Sequence, residues 1–257
     1  MKKARSASSR FDDYDHKLGF LAKSFMQISH TGTTALLFLG GGEKRMLQIR
    51  WHGHACFEIT NGITIVTDPH DGSSIGIQKP TVLADVVTVS HDHYDHNSVK
   101  SVEKSNTKII TDERKRSVGD AIIKGFASYH DECQGEKRGN NIIFKIEIDG
   151  MKFCHLGDLG HELDSDLAEQ IGDVDILFIP VGGTYTLDAA TAWNVIDTIK
   201  PRIIVPMHYK FEGLSLPIAP VDEFLEMRDC EEVRVGVEMD IEKEEIPEDQ
   251  EVWVFTL

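Results

Sequence analysis

The sequence predicts an α/β fold, and three observations carry that reading. From Met46 onward, short β-branched and apolar runs alternate with turn signals, including the hairpin-favouring pairs Asn61-Gly62 and Asp149-Gly150. Residues 84–89, 173–180 and 202–206 are apolar enough to be buried strands. Between the last two, Ala189, Ala192, Trp193, Ile196 and Ile199 fall at helical spacing. A helix over 186–200 therefore joins two strands in a βαβ unit, whose crossover should be right-handed.

Residues 1–45 stand apart from this pattern. The first ten are basic and Ser-rich, and an apolar run over 33–39 precedes Gly40-Gly41-Gly42. That run starts too far in for a secretory signal, and the residues after it make a poor cleavage site. We read 1–45 as a disordered leader, or as a start assigned upstream of Met46, and 46–257 as the folded domain. Strands over 47–51 and 56–59 flank a turn at His52-Gly53-His54. A third strand over 63–67 stops at Asp68-Pro69, because proline cannot donate to a ladder. Residues 70–79 form a loop, followed by the strand over 84–89 and a histidine-rich turn. Next come a short helix over 99–104 capped near Asn97 or Ser98, a strand over 107–110, and a helix over 117–124. His130 lies in a polar loop before a hairpin of 142–148 and 151–156. A short helix over 221–227 and strands over 231–236 and 251–255 close the chain. The acidic stretch 238–251 between those strands reads as a solvated face.

Composition narrows the function. With 40% hydrophobic and 27% charged residues the chain is an ordinary globular protein, and no apolar run approaches the roughly 20 residues of a membrane span. A formal charge of −16 argues against a nucleic-acid surface, which needs Lys and Arg to displace counterions. Cys56, Cys133, Cys154 and Cys230 form no CxxC pair, as expected of reduced thiols in a cytoplasmic protein.

The chemistry concentrates in His91-Asp92-His93-Tyr94-Asp95-His96, where a buried strand ends and a turn begins. His91 and His93 are two apart and project to one side of extended chain, so both can grip one cation. Asp95 and His96 are adjacent in the turn and can face a second cation or a water. Imidazole nitrogen and carboxylate oxygen are the usual donors for zinc and similar ions, at about 2.0–2.2 Å.

This run resembles the HxHxDH signature of the metallo-β-lactamase-fold hydrolases. The opening strands, ending in Gly53-His54-Ala55-Cys56-Phe57 and Thr67-Asp68-Pro69, are similar to the branch with ascorbate-6-phosphate lactonase-like proteins and uncharacterised metal-dependent hydrolases. The resemblance spans nearly all of 46–257. It implies a four-layer αβ/βα sandwich with two divalent ions at one edge between the sheets, zinc favoured and manganese or iron next. It implies that His91, His93 and His130 hold one ion, that Asp95, His96 and His208 hold the other, and that Asp158 of Gly157-Asp158 bridges them. A bridging hydroxide would then attack an ester, lactone, amide or phosphoester of a small, anionic molecule, with Asp95 orienting it. His54 is the expected non-ligand site residue, and Tyr185 the expected substrate contact. His155 and His161 read as core or supporting residues.

Three rival functions share the scaffold or the site. A nuclease is disfavoured by the charge and by segments between His130, Asp158 and His208 too short to hold an RNA-binding arm. An iron-dependent redox enzyme would use the same donor types. A non-catalytic binding protein would have no use for Asp95 as a base.

Overall fold

The computed structural model describes residues 46–257, and the segment 1–45 with its leader or upstream-start reading lies outside the described residues. The strands are β1 (Leu47–Trp51), β2 (Phe57–Thr60), β3 (Thr64–Thr67), β4 (Ala84–Thr88), β5 (Glu103–Ile110), β6 (Arg116–Val118), β7 (Ala121–Tyr129), β8 (Asn140–Ile148), β9 (Met151–His155), β10 (Ile176–Pro180), β11 (Ile203–Met207), β12 (Glu231–Val235), β13 (Glu238–Ile241) and β14 (Glu251–Phe255). Three α-helices are found among the described residues: α1 (Ser165–Ile171), α2 (Ala189–Ile199) and α3 (Asp222–Leu225). The strands form two sheets, of order β13-β1-β2-β3-β4-β5 and β12-β14-β11-β10-β9-β8-β7-β6.

Alternation in the sequence decides which faces meet. In β1, Leu47, Ile49 and Trp51 are buried while Gln48 and Arg50 are half-buried, so one side of the first sheet is apolar. It packs on the second sheet: the Phe57 ring lies 4.3 Å from that of Phe178 and 6.0 Å from that of Phe255, and Phe153 stacks on Phe178 at 6.2 Å. Each such side chain stabilises the fold by about 1.5–3 kcal/mol through burial. β10 and β11 are buried at every position, as strands covered on both faces must be. α2 starts where the Asp188 carboxylate accepts the Thr191 N–H, and its Trp193 stacks on Phe224 of α3 at 4.6 Å. The outer face of the first sheet carries a smaller cluster of Cys56, Val66, Ala84, Val87, Val89 and Val102, with Val82 and Val99 packed against it.

The fold class, the βαβ unit β10-α2-β11 and the hairpin β8-β9 agree with the sequence reading. Two predicted helices do not. Residues 99–104 make only a 3-10 turn over Val99–Ser101, and β5 begins at Glu103. Residues 117–124 are a hairpin of β6 and β7, with Arg116 opposite Ile123 and a turn at Gly119, whose φ is +57°. The adjacent pair Ile122-Ile123 mimics a helical stripe, but pairing with β8 along all of 122–129 imposes period two. The acidic stretch also contains β13, which pairs with β1 and buries Ile241 against Leu47.

Candidate metal centre

The site is built where strands stop. β3 runs parallel to β4, and β9, β10 and β11 run parallel to one another. The C-terminal ends of parallel strands place their following loops along one edge of a sheet, where ligands bind in layered α/β folds. Asp68 follows β3, the 90–96 turn follows β4, His130 follows β7, Asp158 follows β9 and His208 follows β11, while His54 comes from the β1–β2 turn. Two glycines allow the loops this close. A Cβ on Gly157, at φ +56°, would lie 2.3 Å from Asn141 Oδ1 and 2.5 Å from Ser90 Cβ. A Cβ on Gly182 would lie 2.1 Å from the His208 carbonyl oxygen.

All seven expected ligands converge. Donor atoms of His91, His93 and His130 lie within 4.8 Å of one another, and so do those of Asp95, His96, His208 and His54. Asp158 lies between the two groups. Its Oδ2 is 3.2 Å from Nε2 of His130, 3.2 Å from Nε2 of His208 and 3.8 Å from Nε2 of His91, and its Oδ1 is 3.3 Å from Nε2 of His96. One carboxylate thus touches members of both triads, as a bridge between two ions would.

Hydrogen bonds behind the rings assign their tautomers. Asp68 is fully buried; its carboxylate accepts from Ser90 N at 2.7 Å, Ser90 Oγ at 2.6 Å and His96 Nδ1 at 3.0 Å. Because the Ser90 hydroxyl donates to Asp68, it accepts from His91 Nδ1 at 2.9 Å. Both imidazoles therefore carry a proton on Nδ1 and aim Nε2 inward, the nitrogen left to bind a metal. Asn141 does the same service for Asp158, accepting its N–H at 3.0 Å and donating to Leu156 O at 2.9 Å.

The residues present fit bound metal. His91 Nε2, His96 Nε2 and Asp158 Oδ1 are buried without a hydrogen-bond partner, each a cost of about 1–3 kcal/mol if nothing else satisfied it. A mixed imidazole–carboxylate set suits zinc, manganese or iron. Burial, reinforced by neighbouring histidines, pushes His54 and His91 down to about 3 and also lowers His93, which keeps these rings neutral. Burial opposes ionisation of Asp158, but His208 and His96 outweigh it and hold the carboxyl well below the usual range. His96 is held well above the usual imidazole value: burial works against the charge, and Asp158 and Asp68 prevail, so without a cation its Nε2 also carries a proton, which a metal would displace. Asp95 is likewise depressed, burial being overcome by the hydrogen bond with His54 and by His96.

Other expected residues separate by position. His54 sits in the second group, its Nε2 3.2 Å from Asp95 Oδ2 and its ring 4.2 Å from that of His208. Since Asp95 is ionised, His54 donates that bond. Tyr185 lines a cavity of about 360 Å³ together with His93, Asp95, His130, Asp158 and His208. His155 is buried and hydrogen-bonds to Ala55 O at 2.9 Å, whereas His161 accepts from Tyr129 N at 3.2 Å. His52 pairs with Glu58 at 2.9 Å, and Cys133 stands outside the donor groups. Sequence reading missed Asp68, Ser90 and Asn141 as supports. The signal for Asp68 was there: an acid at a strand's C-terminal end, one strand over from the histidine-rich turn.

Residues 48–208 match the family described as a β-lactamase superfamily domain, and the chain belongs to that family. It is a metal-dependent hydrolase of the metallo-β-lactamase superfamily. The UPF0173 metal-dependent hydrolase of Thermoplasma acidophilum is 29% identical over 187 residues, covering 63% of this chain and 83% of the relative. That of Thermococcus onnurineus is 29% identical over 190 residues, covering 64% and 85%. A solved structure from Thermotoga maritima, assigned as a Zn-dependent hydrolase of the same superfamily, is 41% identical with a TM-score of 0.67 and covers 81% of this chain and 98% of its own. No helix among the described residues is long and apolar enough to cross a membrane.

Proposed function

We propose that the centre holds two divalent cations and hydrolyses an ester, lactone, amide or phosphoester bond of a small molecule. His91, His93 and His130 would hold one cation, Asp95, His96 and His208 the other, and Asp158 both. The observation that carries this reading is the reach of Asp158 to imidazoles of both triads, within 3.2–3.8 Å. Bound there, the cations supply Lewis acidity and bring the pKa of a water towards neutrality.

The chain's own residues do the rest. Asp95 is buried but faces the cavity, and His54 N–H fixes its carboxylate, so Asp95 orients the attacking water and helps relay its proton onward. His54 holds Asp95 through a proton on Nε2; that assigns it to positioning rather than metal binding. Asp68, through His96 and through Ser90 to His91, keeps two inward Nε2 atoms aligned before substrate arrives. A cavity of about 360 Å³ is at the small end of ligand sites, about 300–1,000 Å³, which supports a small molecule over a polymer.

The test strips the protein with chelator, reloads it with zinc, manganese or ferrous iron, and offers a panel of esters, lactones, amides and phosphodiesters. Turnover should return only on reloading, and Asp95→Asn should lower kcat by about 10²–10⁴-fold. Oxygen consumption by the iron form without hydrolysis, or equal turnover in Asp95→Asn, would overturn the proposal.

A further inference from the structure

One carboxylate organises the loop that leaves His130. Asp131 is 3% exposed and accepts backbone N–H groups from Cys133 at 2.7 Å, Gly135 at 3.0 Å, Lys137 at 2.9 Å and Arg138 at 2.8 Å. A loop tied at four points to one side chain holds its shape, and this one ends in two cations. Lys137 and Arg138 both line the cavity that contains His130, Asp158 and His208.

Arg50, Arg114, Arg116, Arg228 and Arg234 each pair with a carboxylate. Lys137 and Arg138, like Arg202 and several lysines among the described residues, have no carboxylate partner, and these two line the cavity, in a protein whose 43 acidic residues outnumber 27 basic ones. Arg138 is nevertheless held in place. Its Nη2 donates to Thr184 O at 3.1 Å, and its guanidinium sits 5.5 Å from the Tyr185 ring centroid. One edge of the fork is used, and the remaining N–H groups are free for a ligand. A neighbouring cavity of about 460 Å³, also lined by Arg138, contains Asp92, which would repel an anion. The Lys137 side carries no carboxylates except Asp95 and Asp158, which face the proposed cations.

The geometry points to Lys137 and Arg138 as the anion-recognising pair of this active site, selecting substrates that carry a carboxylate or phosphate group near the scissile bond. This rests on the hydrolytic reading above. Arg138 supplies the planar fork, which suits both anions, and exposed Lys137 adds a mobile point charge. Tyr185 acts through Arg138 by supporting its guanidinium.

The test compares 4-nitrophenyl esters of acetate, succinate and 3-phosphonopropionate with metal-loaded wild type, Arg138→Ala, Arg138→Lys and Lys137→Ala. Wild type should favour a charged ester over acetate by about ten- to hundredfold in kcat/KM. The ratio should fall towards one in Arg138→Ala and to an intermediate value in the other two. The succinate and phosphonopropionate arms show which anion is preferred. A ratio near one in wild type, a ratio that survives Arg138→Ala, or equal loss on all three esters in Arg138→Ala would overturn the assignment. If Arg138→Ala fails to fold, Arg138→Lys decides by the same ratio. Calorimetry of succinate against propionate on the metal-loaded protein needs no turnover. A succinate preference lost in Arg138→Ala, with no turnover on any bond class of the panel above, would sustain the anion pair while sinking the hydrolytic reading; no such preference would sink the pair alone.

Discussion

Replacing Asp68 by asparagine tests how the centre is held without touching any proposed ligand. The Asp68 carboxylate accepts three hydrogen bonds, two of them on Oδ2, from Ser90 Oγ and His96 Nδ1. An amide keeps one acceptor for Ser90 N and puts donors where those two now arrive. Two charge-assisted bonds at about 1.5–3 kcal/mol each are lost, and local rearrangement recovers part. We expect about 2–4 kcal/mol less stability in the metal-free protein by urea unfolding. The larger consequence is for tautomers. Without an acceptor at Nδ1, His96 is free to carry its proton on Nε2, where a cation must bind, and His91 loses its relay through Ser90. Partners of this kind are worth about 10–100-fold in metal affinity. Competition titration against a chromophoric chelator would read that loss directly. A Asp68→Asn protein that binds metal as tightly as wild type and unfolds within about 0.5 kcal/mol of it would refute the reasoning.

Three further outcomes follow from packing and charge. Gly182→Ala should destabilise by about 1–3 kcal/mol and weaken metal binding, because its Cβ would collide with the His208 carbonyl, while Gly236→Ala, with open space around it, should stay within about 0.5 kcal/mol by thermal and urea unfolding. Phe178→Ala, which empties the contact between the sheets, should cost about 3–5 kcal/mol in the same assay. Glu58 is held below its usual value of 4.5: burial alone would raise it, but the hydrogen bond from His52 wins. A depressed folded value means the stabilisation is present above about 4.5 and is lost as pH falls through the lower folded value. Glu58→Gln should therefore flatten the acid limb of the stability–pH curve; an unchanged limb would remove Glu58 from the account.

The centre was more legible in the sequence than the sheets around it. The run from His91 to His96 is local, and its chemistry is written in residue types that rarely cluster without a task. His130, Asp158 and His208 were placed only by likeness to a family, because nothing in their neighbours states that three distant strand ends will meet. The hairpin at 116–129 was misread for a physical reason. Val118, Ala121, Ile122 and Ile123 satisfy a helical stripe as well as a strand, and the ladder to β8, a contact with a distant segment, decides between them. β13 was hidden by its acids: Glu238 and Asp240 face outward, and Ile241 finds its buried place only by pairing with Leu47, almost two hundred residues away in the chain. Asp68 read as a strand stop because its partners, Ser90 and His96, lie on the next strand's end.

The central claim is that Asp158 joins two cation sites assembled from separate triads. Metal content by mass spectrometry, on protein purified in excess zinc and then dialysed, tests it most directly. Wild type should hold two ions per chain, His93→Ala or His208→Ala one, and Asp158→Ala fewer than one. A wild type holding one ion or none, or a His208→Ala variant that still holds two, would contradict it.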